Sequence, residues 1–154
     1  MFIQWNLSIL IQVLSIGGRE RKGNTIQPCK ILIADDEFLI RWSLTQALSQ
    51  EGYEVTAVED GKKAVEAAKL QRFDFIITDL LMPELDGWKV LELARQSQPP
   101  PRVIIMTAYG KEGNGMIASE RGAWAYVEKP YIIEKVKGIL KEALGGKSPF
   151  PLPN

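Results

Sequence analysis

Asp74-Phe-Ile-Ile-Thr-Asp79-Leu-Leu-Met-Pro-Glu-Leu-Asp-Gly87 changes character at one carboxylate. Before it, Asp74 to Thr78 is short, apolar and β-rich, with no polar alternation, as in a strand covered on both faces. After it, Pro83 to Gly87 has turn composition, and a helix follows to about Gln96. A strand that ends on an acid and feeds a turn and helix is the start of a βαβ unit. Asp79 then lies at the C-terminal edge of a parallel sheet, where ligands bind.

The same pattern repeats outward. Lys30 to Ala34 is a β-rich run that ends in Asp35-Asp36-Glu37. Phe38 to Gln50 follows as a helix with Ile40, Leu44, Ala47 and Leu48 on one face, and Gly52 stops it. Tyr53 to Val58 reads as a strand, and Asp60-Gly61 opens a helix through about Arg72. Beyond Pro99-Pro100-Pro101, Arg102 to Thr107 is another apolar strand. Gly110 to Arg121 is a poor helix, weakened by Gly113 and Gly115. Trp124 to Val127 makes a fifth strand, and a last helix runs from about Ile132 to the stop at Gly145-Gly146. Five strands alternating with five helices predict an α/β, three-layer fold. Its limits are residues 29–145, with a Pro/Gly-rich tail at 146–154.

Residues 1–28 are read as an N-terminal extension and linker outside the fold. Phe2 to Ile16 is apolar but interrupted by polar residues, and shorter than the roughly 20 residues that span a bilayer. It has no basic start and no small-residue cleavage site, so a secretory signal is not expected. Gln4, Ser8, Gln12 and Ser15 recur at helical spacing. A plain extension is the leading reading, a partner-binding or dimerising helix the next, and a membrane anchor the last. Gly17 to Gln27, with Arg19, Arg21 and Lys22, reads as a linker.

Composition narrows the chemistry. Lys plus Arg and Asp plus Glu each number 19, so no bulk charge draws the chain to nucleic acid or an anionic membrane. The absence of histidine removes a His phosphoacceptor, a His base and His metal ligands. The single Cys29 permits no intrachain disulfide and reads as structural filler, which fits a reducing, cytoplasmic setting.

Each chemically suggestive residue lies at or just past the end of a predicted strand: Asp35 and Asp36, Asp79, Thr107, which ends its strand, and Lys129, shortly after the fifth. In a flavodoxin-like sheet of order 2-1-3-4-5, the first and third strands are adjacent, and the three aspartates converge. Carboxylates so placed repel one another, and a hard divalent cation relieves the repulsion. Oxygen-only ligands favour Mg²⁺, with Mn²⁺ as a substitute. A metal, an ammonium and a hydroxyl around a carboxylate are the parts needed for phosphoryl transfer to it.

These residues resemble the response-regulator receiver family of two-component signalling. The resemblance rests on Asp35-Asp36-Glu37, the segment Asp79 to Gly87, Thr107-Ala108, and Tyr126-Val-Glu-Lys129-Pro130, and covers about Cys29 to Leu144. It implies that Asp79 is the phosphoacceptor. It further implies Mg²⁺ on Asp36, Asp79 and the Leu81 carbonyl, with Asp35 acting through water. Lys129, Thr107 and the Ala108 backbone would hold the phosphoryl group, and Thr107 and Tyr126 would switch on activation. The Lys129–Pro130 peptide would be cis. Leu81 and Tyr109 would flank the hydrolytic water and slow phosphoryl loss. The implied partners are a sensor histidine kinase and an effector protein or second copy, met through the fourth helix, fifth strand and fifth helix. The chain would be a signalling domain rather than an enzyme with a separate substrate. Three other readings fit less well. A Mg²⁺-dependent phosphatase wants D-x-D-x-[TV] where this chain has Asp35-Asp-Glu-Phe-Leu39, and a nucleotide-binding flavodoxin-like domain wants a Gly-rich loop there. A degenerate receiver would lack part of the residue set.

Overall fold

The computed structural model describes residues 18–21, 25–108, 110–130 and 132–146. In chain order these form β1 (Gly18–Arg21), β2 (Thr25–Pro28), β3 (Lys30–Ala34), α1 (Phe38–Gln50), β4 (Glu54–Val58), α2 (Gly61–Leu70), β5 (Phe75–Asp79), α3 (Gly87–Ala94), β6 (Arg102–Thr107), α4 (Asn114–Glu120), β7 (Ala125–Glu128) and α5 (Ile132–Leu144). Strands β3 to β7 pair in parallel in the order β4-β3-β5-β6-β7. Counted from Lys30, that is the 2-1-3-4-5 order expected from the sequence.

Apolar composition decides which strands lie inside. β5 is buried at every residue, and β3 and β6 from their second residue onward. The edge strand β4 is exposed or half-buried throughout. Alternate residues of the inner strands face two separate cores. Ile31, Ile33, Phe75, Ile77 and Ile104 pack with Leu44 and Leu48 of α1 and Val136 and Leu140 of α5. Leu32, Ile76, Val103 and Ile105 pack with Ala64 of α2, Val90 and Leu91 of α3, and Ala118 of α4. Burial removes apolar surface from water on both faces, which is the main force holding the three layers together.

Two contacts fix the loop that follows Asp79. Gly61 opens α2 against the loop, and a Cβ there would run into the Leu85 carbonyl oxygen. Gly87 opens α3, and its Cβ would meet the Asp79 carbonyl oxygen and lie 2.9 Å from Leu80 Cα. Asp60 and Asp86 cap these helices, each accepting a 2.8 Å hydrogen bond, from the amides of Lys63 and Lys89 respectively.

One segment departs from the sequence reading. The Gly17–Gln27 linker contains an antiparallel pair, β1 with β2, in register from Gly18 opposite Pro28 to Arg21 opposite Thr25. It forms its own two-stranded sheet, apart from the five-stranded one. The Gly23-Asn24 turn signal between the two runs was the available cue. The helical reading of Phe2 to Ile16 and the tail beyond Gly146 lie outside the described residues. Among the described residues, no helix is long and apolar enough to cross a membrane.

Candidate functional site

The C-terminal ends of β3, β5, β6 and β7 meet at one edge of the sheet. The chain leaves β3 at Asp35, whose amide still donates to the Val58 carbonyl at 3.2 Å, so this residue is held by the sheet. Asp35 is fully buried, Asp79 at the end of β5 is nearly so, and Asp36 is exposed. The three offer carboxylate oxygens that all lie within 4.8 Å of one another. This oxygen-only set suits a hard divalent cation.

Lys129 follows β7, and its amide donates to the Thr107 carbonyl at 2.8 Å. That bond sets the side chain over the acids. Lys129 Nζ donates to Asp35 Oδ2 at 3.1 Å, Asp79 Oδ2 at 3.2 Å and Glu37 Oε1 at 3.0 Å. The other oxygen of Asp79 accepts from the Leu80 amide at 2.7 Å, and the other oxygen of Asp35 from the Glu37 amide at 2.9 Å. The Leu81 amide also donates to that oxygen of Asp79, at 3.4 Å. Each buried carboxylate is thus fixed by backbone amides on one oxygen and turned toward a shared ammonium with the other.

The electrostatics follow from this packing. Burial pushes the Asp35 carboxyl above its ordinary value, and the neighbouring Asp79 charge adds to the rise; the Glu37 amide and Lys129 offset part of it. Burial alone would lower the Lys129 ammonium, but the bonds to Glu37 and Asp35 and the charges of Asp35 and Asp79 raise it well above the ordinary lysine range. These contacts favour the charged form of Lys129 beside the two buried acids.

Thr107 ends β6 and is buried, while Ala108 beside it is exposed. Tyr126 in β7 is half-buried against α4, and its hydroxyl has no hydrogen-bond partner among the described residues. Leu81, two residues past Asp79, is 57% exposed and so not committed to the core. The Lys129–Pro130 peptide is cis. Tyr109 lies outside the described residues. The structure thus brings together Asp35, Asp36, Asp79 and Lys129, with Thr107 on the neighbouring strand end.

Two participants did not follow from the sequence reading. Glu37 stands at the head of a helix, where an acid is unremarkable in sequence, and the structure gives it to Lys129. Arg41 donates from its guanidinium to the Asp35 carbonyl at 2.8 Å and so ties α1 to the acidic turn. Its only sequence cue is the i, i+4 spacing from Glu37, which places both on one side of the first helical turn.

Comparison with known proteins agrees with this geometry. A family model described as the response regulator receiver domain matches residues 31–141. Sporulation initiation phosphotransferase F of Bacillus subtilis is 34% identical over 119 residues, covering 77% of this chain and 96% of that protein. The DNA-binding transcriptional regulator NtrC of Proteus hauseri is 29% identical over 119 residues, covering 77% of this chain but 25% of its own length. The chain thus spans about a quarter of that regulator. Among solved structures, the CheX–CheY–BeF3–Mg²⁺ complex from Borrelia burgdorferi matches with a TM-score of 0.71 and 29% identity, over 76% of this chain and 90% of that one.

Proposed function

The chain belongs to the response regulator receiver domain family, and on that premise we propose that Asp79 accepts a phosphoryl group from a sensor histidine kinase in a Mg²⁺-dependent reaction. A carboxylate oxygen of Asp79 attacks phosphorus in line, the bond from phosphorus to the donor nitrogen breaks, and an acyl phosphate forms on Asp79. Lys129, a fixed cation on the same carboxylate, takes up charge on the phosphoryl oxygens. Thr107 and the Ala108 amide hold the remaining oxygens. Asp36, Asp79 and the Leu81 carbonyl would hold the metal, with Asp35 through water. When bound, it neutralises the acids and the phosphoryl charge. The oxygen-only donors, all within 4.8 Å of one another, support this fit.

The observation that carries the reading is the ammonium of Lys129 shared by Asp35 and Asp79 at the sheet's C-terminal edge. Output would pass through the face of α4, β7 and α5, where Thr107 and Tyr126 change position together and alter binding to an effector protein or a second copy. No direct binding of nucleic acid or membrane is part of this function, and a cytoplasmic setting suits it.

The test is intact-mass measurement after treatment with a small acyl phosphate and Mg²⁺. One phosphoryl group should be added. Asp79→Asn, or chelation of the metal, should abolish the addition. Full labelling of the Asp79→Asn protein would sink the assignment.

A further inference from the structure

Glu37 sits at the N-cap of α1 but makes no side-chain cap hydrogen bond. A carboxylate in that position ordinarily satisfies a first-turn amide. This one reaches back to Lys129 at 3.0 Å instead, although its side chain is 59% exposed and has water available.

The ammonium it meets is saturated. Lys129 has three N–H donors. Asp35 Oδ2, Asp79 Oδ2 and Glu37 Oε1 accept them. The Lys129 side chain is 10% exposed, so there is little room for another acceptor to approach. A phosphoryl oxygen arriving on Asp79 must therefore compete with these acceptors for a donor. Releasing Asp35, whose side chain is fully buried, would strand a carboxylate away from water. Asp79 is the group that carries the phosphoryl. Glu37 alone can return to solvent at low cost.

We propose that the Glu37 carboxylate is a displaceable placeholder at Lys129, occupying the hydrogen bond that a phosphoryl oxygen on Asp79 takes. This rests on the reading of Asp79 as phosphoacceptor. Glu37 acts through Lys129 and is a positioning residue: it holds the ammonium over the pocket in the unloaded protein and competes with the incoming group. It therefore weights the loading equilibrium against the phosphorylated form. A pair with one solvated partner is worth about 2- to 5-fold in an equilibrium constant.

The test is calorimetric titration of the full chain with beryllofluoride, a phosphoryl mimic, at Mg²⁺ shown to be saturating for each variant. Glu37→Gln should bind about 2- to 5-fold more tightly than the parent. Glu37→Asp keeps the charge but withdraws the carboxylate by one methylene, so it should tighten binding as Gln does. A purely structural role for Glu37 would move the melting temperature and leave these affinities alone. Unchanged or weaker binding by Glu37→Gln overturns the proposal. So does a Glu37→Asp variant that binds like the parent while Glu37→Gln tightens, because local charge rather than occupancy of Lys129 would then be the cause. A parent chain that binds no beryllofluoride with Mg²⁺ overturns the phosphoacceptor reading itself and the placeholder with it; acyl phosphate labelling of the parent tells the two failures apart.

Discussion

Tyr53 buries a phenol in the core that includes Cys29, and its hydroxyl has no hydrogen-bond partner among the described residues. Burial, with smaller contributions from Cys29 and Glu51, pushes the phenol up from 10.0 to about 12. The sign of the pH effect follows. Below pH 10 both folded and unfolded chains keep the proton and stability is unaffected. Between pH 10 and about 12 the unfolded phenol ionises while the folded one does not, so stability falls as pH rises. The full loss is about 2–3 kcal/mol. Urea unfolding from pH 8 upward should show this decline in the parent and a flatter curve in Tyr53→Phe. Because an unpaired buried hydroxyl is costly, Tyr53→Phe should be at least as stable at neutral pH; a loss of more than about 1 kcal/mol would reveal an unseen partner. By the family resemblance, exposed Leu81 should shield an acyl phosphate on Asp79 from water, and Tyr109, outside the described residues, should narrow access further. The Leu81→Asn, Tyr109→Glu double variant should lose its phosphoryl group roughly 100-fold faster or more, since water positioning and base assistance contribute on that scale. Equal decay rates would show that these side chains do not set the lifetime. Asp35, Asp36, Asp79 and Lys129 were legible because each directly follows an apolar strand, so topology alone brings them to one edge. Glu37 was not, because a helix's first acid and a pocket acid look identical until the direction of the side chain is known.

Among the elements, α4 is the weakest. It has seven residues, starts after Gly113 with φ 88°, and buries only Ala118. Met116 is 70% exposed, so the helix gains little from packing. Helices this short have little stability of their own. Its amides should exchange hydrogen fastest among the five helices, and a phosphoryl mimic should slow them. Protection matching that of α5, with no response to the mimic, would defeat the coupling between pocket and face. The contrast with α5 is visible in the chain itself: Ile132, Val136, Leu140 and Ala143 recur at helical spacing, and all are buried. The limits of α1 and β6 were legible for related reasons, an apolar helical period in one and an unbroken apolar run in the other, each with clear stops. The β1–β2 pair was not, because two four-residue strands carry too few residues to establish a period of two.

For the whole molecule, the described residues of the two cores begin at Cys29, and every residue placed in the pocket lies between Asp35 and Lys129. Removing residues 1–28 should leave acyl phosphate labelling intact; loss of labelling in a folded, shortened chain would show that the extension takes part in the reaction. Gly87, packed on the carbonyl of Asp79, has a consequence for genetics. In a selection for signalling output, Gly87→Ala would score among the null alleles, beside Asp79→Asn, and a genetic map would place it in the active site. It carries no reacting atom. Any allele there fails because the peptide of Asp79 has nowhere to go, so its suppressors should arise in the Leu80–Asp86 loop and never at the phosphoryl donor.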